Sequence, residues 1–289
     1  MGKKNQKEIF FLINKWLNFL KLGDLIIFSS FPFLGYAISY KKIWPLSLLC
    51  SSFLLSLGIN IDNRVEGYNK NPIDISVNGS PLLIKNYLLN SFKIARFILY
   101  LSSLSISLIF APKAFFWVFL SLAIAILYNN NKIFLQIKPF LDLIFHILGA
   151  WAFTVAGGSW HKLSNLTPHI FGIAFGFWLA GGYLNHILAD KEKDEKIGKK
   201  TFAHLFEEKK IRIGTIIFFL LGDILIFFIF FGKNNKISFF VLAIIFITIL
   251  ISLKIKNPKS FKISYRIIYS LLTILILLNF IFPPLKYLK

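Results

Sequence analysis

The feature that constrains this chain most is the alternation of long apolar runs with short charged connections. Nine runs of roughly the 17–25 residues that cross a bilayer as a helix lie near 22–40, 44–61, 87–110, 114–128, 140–158, 166–189, 212–231, 237–253 and 264–282. In lipid, every backbone N–H and C=O must be bonded inside the protein, which leaves helices as the solution for such runs. A soluble domain of this size would not combine 56% apolar residues with only 16% charged ones. The expected fold is therefore an all-α integral membrane protein, with about nine transmembrane helices around a central cavity and one domain over 1–289. Ahead of the first run, Ile9, Phe10, Ile13, Trp16, Leu17 and Leu20 alternate with lysines. That pattern predicts an interfacial amphipathic segment over 1–21. Lys15, Asn14, Asn18 and Lys21 interrupt it too often for a cleavable signal. The single cysteine, Cys50, excludes an intrachain disulfide framework.

A net charge of +20 invites a nucleic-acid reading, but the placement of the charges argues otherwise. With the N-terminus inside, 25 of the 33 Lys and Arg fall on inside connections and eight outside. That asymmetry is the positive-inside pattern of a multi-pass protein, so no nucleic-acid partner is expected. The expected setting is a prokaryotic cell membrane, N-terminus in the cytoplasm.

Two acidic pairs then stand on the same cytoplasmic side. Asp62 and Glu66 follow the second run, and Asp190 and Asp194 follow the sixth. Each pair has i, i+4 spacing, which puts both carboxylates on one helix face. Two carboxylates so placed suit Mg²⁺, a hard ion that takes oxygen ligands and keeps phosphate as a further one. Lysines at 191, 193, 196, 199 and 200 surround the second pair; they attract polyphosphate or merely mark the inside. Gly198 and Thr201 shape the loop after it. Two such pairs facing each other would bridge metal ions to a diphosphate and help it leave carbon, while an apolar cavity would hold a hydrocarbon tail and shield a carbocation.

The segment Asp190-x-x-x-Asp194-x-x-x-Gly198-x-x-Thr201 resembles the second aspartate-rich motif of the UbiA superfamily of intramembrane prenyltransferases. The resemblance extends over nearly the whole chain. Tyr128, Lys138, Pro139, Leu141, Asp142 and His146 are similar to the tyrosine and Lys-x-x-Pro-x-Leu-Asp segment of several branches. The first motif departs from the family's Asn-Asp-x-x-Asp-x-x-x-Asp. Gly58 and Ile59 stand where Asn and Asp are expected, Asn60 comes two residues late, and Glu66 replaces an aspartate.

The resemblance implies an enzyme that moves a prenyl group from a polyprenyl diphosphate to a lipophilic or aromatic acceptor, with Mg²⁺ as cofactor. It implies Asn60, Asp62, Glu66, Asp190 and Asp194 as metal ligands. Arg64, Lys138 and Lys193 become phosphate contacts, against their reading as ordinary inside cations. Tyr128, Lys138 and Asp142 become catalytic candidates; Tyr128 also suits an interface aromatic, and Asp142 also suits a helix N-terminus. His146 and His186 read first as packing residues. Asp223, in mid-span, is costly to bury and marks a functional hypothesis by default. It is the feature a transporter would explain. A CDP-alcohol phosphotransferase also uses Asp-x-x-x-Asp, but 172–190 lacks the Asp-Gly-x-x-Ala-Arg run it requires. A lipid-binding family member without catalysis is the remaining alternative.

Overall fold

The structure is a computed structural model that describes residues 22–42, 44–70, 76–77, 80–81, 86–130, 138–196, 201–231, 235–254 and 257–281. The 1–21 segment and Gly198 lie outside the described residues. The described chain is helical apart from a two-residue antiparallel ladder, β1 (Ser76–Val77) with β2 (Ser80–Pro81), pairing Val77 with Ser80.

The long helices are α1 (Leu22–Tyr40), α2 (Leu46–Lys70), α3 (Asn86–Phe110), α4 (Pro112–Asn129), α5 (Pro139–Gly158) and α6 (Leu166–Ala189). Two short helices follow, α7 (Lys191–Lys196) and α8 (Phe202–Leu205). Then come α9 (Glu208–Phe230), α10 (Asn235–Lys254) and α11 (Pro258–Ile281). Local chemistry sets several starts. Pro112 and Pro139 open α4 and α5, where a missing N–H costs nothing. Asn165 caps α6 by accepting the Thr167 N–H at 3.2 Å.

Among the described residues, six helical segments are long and apolar enough to cross a membrane: Leu46–Glu66, Leu89–Phe110, Pro112–Asn129, Phe140–Gly158, Leu166–Ala189 and Glu208–Phe230. The other three long helices carry shorter apolar stretches, Leu25–Tyr40, Ser238–Ile251 and Ile263–Leu278. The outward faces are strongly apolar: Phe97, Ile109, Phe116, Phe228, Phe239 and Phe246 are all exposed. Such a surface is unfavourable in water and neutral against lipid tails.

Helix α6 is the central element, with α5 on one flank and α9 on the other. Helix α1 packs on α5, and α2 on α3. The α1–α5 contact is backbone-close because glycine allows it. A Cβ at Gly35 would fall 1.8 Å from the Thr154 carbonyl oxygen, and one at Gly157 would fall 1.8 Å from that of Pro32. This is the small-residue packing that brings membrane helices together. The main core runs through Phe31, Phe153, Phe171, Phe175, Trp178 and Phe219. A second apolar cluster, Leu143, Leu184, Ile187, Leu188, Ala203 and Ile211, seats α8 and the start of α9 under the end of α6.

One boundary differs in a way that matters. The second run reads as ending at 61, but α2 continues to Lys70. Asp62 and Glu66 therefore lie on the helix itself, one turn apart, as their i, i+4 spacing implies.

Candidate active site

A cavity of about 110 Å³ lies between α1, α2, α4, α5 and α6. Phe28, Phe31, Ile124, Phe145, Phe153 and Leu179 make most of its wall apolar, while Asn60, Asn63, Tyr128, Asn129 and His146 supply polar groups.

The first acidic pair stands at this site. Arg96, from α3, donates to Asp62 Oδ1 through Nη1, and the same nitrogen lies 3.0 Å from Glu66 Oε1. Asn129, the last residue of α4, donates from Nδ2 to Asp62 Oδ2 at 3.0 Å. One turn along α3 from Arg96, the Tyr100 hydroxyl donates to the Gly58 carbonyl at 3.2 Å. Asn60 is buried and Arg64 half-buried.

The next residue along from Asn129 belongs to a second cluster. Tyr128 and Tyr183 are both hydrogen-bonded to the Asp142 side chain in the first turn of α5. The His146 ring meets Tyr128 edge-on at 5.2 Å and stacks on Tyr183 at 4.4 Å. His146 Nδ1 is 2.8 Å from the Asp142 carbonyl oxygen and 3.2 Å from Asp142 Oδ1. Asp142 Oδ1 is buried and accepts no hydrogen bond. Asn129 Oδ1 is buried without a donor as well. Buried acceptors are normally satisfied. Each of these two oxygens could accept a hydrogen bond from a bound substrate.

The second acidic pair ends α6. Asp190 is the C-cap residue, with its N–H on the His186 carbonyl at 3.1 Å, and Asp194 N–H reaches the Asp190 carbonyl at 2.9 Å. The i→i−4 bonds thus run through the joint between α6 and α7, and the two carboxylates keep one-turn spacing. The Asp190 side chain is 41% exposed, with His186 Nδ1 3.4 Å away, whereas Asp194 is buried. Tyr183, two turns before Asp190, lies within electrostatic reach of both Asp142 and Asp194. The two clusters adjoin in the chain at Asn129 and Tyr128, and Tyr183 lies within electrostatic reach of Asp194.

Other expected residues stand apart from these clusters. Lys138 is the N-cap of α5 and is exposed. Lys193 is on α7, and its side chain lies outside the described residues. Thr201 is buried before α8, where its N–H and hydroxyl both lie 3.1 Å from His204 Nδ1. Asp223 belongs elsewhere. It is fully buried, accepting from Trp178 Nε1 at 3.0 Å and from the Tyr269 hydroxyl at 2.9 Å. Tyr269 is in turn 3.2 Å from Thr248. With both oxygens satisfied, Asp223 ties α6, α9, α10 and α11 together.

Arg96, Tyr100, Asn129 and Tyr183 were not singled out by the sequence. One signal was available for Arg96: in a chain whose cations are overwhelmingly lysine, the only arginines are 64, 96, 212 and 266. Arginine is the residue for bidentate carboxylate pairing. Tyr183 also sits on the Asp190 face by helical spacing.

Among the described residues, no three His, Cys, Asp or Glu side chains form a metal cage. Mg²⁺ rarely needs one, since it takes one or two carboxylates and completes its shell with phosphate and water. Asp190 and Asp194, one turn apart on one face, fit that demand. The Asp62–Glu66 pair as it stands does not, because a guanidinium holds both carboxylates.

A family model described as the UbiA prenyltransferase family matches residues 28–270. No curated relative matches the sequence. Among solved structures, a UbiA homologue from Archaeoglobus fulgidus bound to GPP and Mg²⁺ superposes with a TM-score of 0.70 at 20% identity, covering 92% of this chain and 99% of that one. The same homologue bound to DMAPP and Mg²⁺ gives 0.70 at 18% identity, over 92% and 99%. A structure concerning digeranylgeranylglyceryl phosphate synthase gives 0.67 at 18% identity, over 93% and 98%.

Proposed function

The chain belongs to the UbiA prenyltransferase family, and from that membership we propose that it transfers a prenyl group from a prenyl diphosphate to a hydrophobic or aromatic acceptor within the bilayer. The observation that carries this reading is the pair of polar clusters beside an apolar cavity, Asp62 with Asn129 and Asp142 with Tyr128 and Tyr183. The protein is a multi-pass membrane enzyme. It forms a single domain with nine spans, an inside N-terminus and both acidic motifs on the cytoplasmic face of a prokaryotic membrane.

In the proposed reaction the allylic C–O bond of the donor breaks and its electron pair leaves with diphosphate. The acceptor's nucleophile forms the new bond to carbon and gives up a proton. Asp190 and Asp194 would hold Mg²⁺, which supplies Lewis-acid stabilisation of the leaving diphosphate. Lys138, Arg64 and Lys193 add cationic charge around the phosphates. The phenylalanine walls keep water from the allylic cation. Tyr128, its ring on the cavity and its hydroxyl held by Asp142, sets aromatic electron density beside that cation.

GPP and DMAPP, the ligands of the archaeal homologue, are the first donors to test, with farnesyl and geranylgeranyl diphosphate next. The experiment incubates the purified protein with each labelled donor, Mg²⁺ and a panel of acceptors, and identifies products by mass. A prenylated acceptor with stoichiometric diphosphate supports the proposal; binding of donors with no turnover against any acceptor class contradicts it.

A further inference from the structure

The first acidic motif already carries a cation on both of its carboxylates. One guanidinium nitrogen of Arg96 serves both Asp62 and Glu66, and Asn129 takes the other Asp62 oxygen. A guanidinium remains protonated at any working pH, so titration does not release these carboxylates. A divalent ion on the same oxygens would bring two cations within a few ångströms in a half-buried setting, where their repulsion is poorly screened. Arg96 is only 24% exposed.

The missing ligand positions tell the same story from another side. Gly58 has no side chain to offer, and the space a side chain would need is taken. A Cβ there would fall 2.6 Å from Tyr100 Cε1. Ile59 turns an apolar side chain to the cavity. Arg96 and Tyr100 are four residues apart on α3 and share one face. A single face of α3 thus fills the volume vacated at Gly58 and supplies the positive charge that Asp62 and Glu66 require.

We propose that the cation of the first acidic motif in this chain is the Arg96 guanidinium, and that divalent ions are taken by the Asp190–Asp194 motif alone. This rests on the proposed metal–diphosphate reading of the second motif. Arg96 is then a positioning residue. It neutralises one of the two carboxylate charges, so that a diphosphate meets less repulsion beside the first motif.

The test counts bound Mn²⁺, by electron paramagnetic resonance of the free ion, on the full chain in detergent with saturating inorganic diphosphate. Wild type is expected to bind one ion. Asp190→Ala is expected to weaken that ion by about 10- to 100-fold or more, and Asp62→Asn to leave it in place. Should Asp62→Asn fail a melting control, Glu66→Gln takes its place with the same expectation. Two ions in wild type, with one lost in Asp62→Asn or Glu66→Gln, overturns this inference and leaves the proposed function standing. A count indifferent to Asp190→Ala overturns both, because it removes the metal reading of the second motif.

Discussion

Asn129 donates to Asp62 across 3.0 Å, and this bond ties the end of α4 to the first acidic motif. Its chain neighbour, Tyr128, is hydrogen-bonded to Asp142 on α5. Two consecutive residues therefore hold the carboxylates of two different helices beside one cavity.

Replacing Asn129 with alanine strips a buried carboxylate of one donor. The expected loss is about 1–3 kcal/mol of stability, read as a lower melting temperature in detergent. Diphosphate release should fall with it. An unchanged melting curve together with unchanged turnover would mean the bond organises nothing.

Gly58 and Tyr100 should behave as a coupled pair. Gly58→Ala puts a methyl group into the Tyr100 ring, and overpacking of this kind costs about 1–3 kcal/mol. Tyr100→Ala in the same chain makes the room, so the double variant should be more stable than the two single losses added together. Additive losses would show that the contact is not what keeps residue 58 a glycine. Ile59→Asp, which restores the family's acid, should for the same reason lower activity, since the site is built around Arg96.

Asp223 is predicted to be structural. Asp223→Leu leaves the Trp178 N–H and Tyr269 O–H without their acceptor. It should lower stability by about 1–3 kcal/mol or more while the remaining folded protein keeps its specific activity. Loss of turnover at full stability would instead give this residue a part in the chemistry.

The sequence carried the helices and the two motifs because both depend on spacing along one chain. Apolar run lengths located the long helices, and i, i+4 spacing put each acid pair on one face. The partners of those acids depend on how helices are rotated against each other, which hydropathy does not specify. Arg96 therefore read only as one more inside cation, and Asn129 only as the start of an Asn run. The apolar run of the second span ends near 61 where charged residues begin, and α2 continues past it to Lys70. Asp223 had no motif to give it a role, and its partners, Trp178 and Tyr269, lie 45 and 46 residues away in sequence.

The central claim is that Asp190 and Asp194 hold the metal that assists departure of diphosphate. Its most direct measurement is Mg²⁺-dependent diphosphate release from a labelled allylic donor by wild type and Asp190→Ala, with melting curves as the folding control. Asp190→Ala should lose at least on the order of 100-fold at an unchanged melting temperature. Equal release by the two proteins would contradict it.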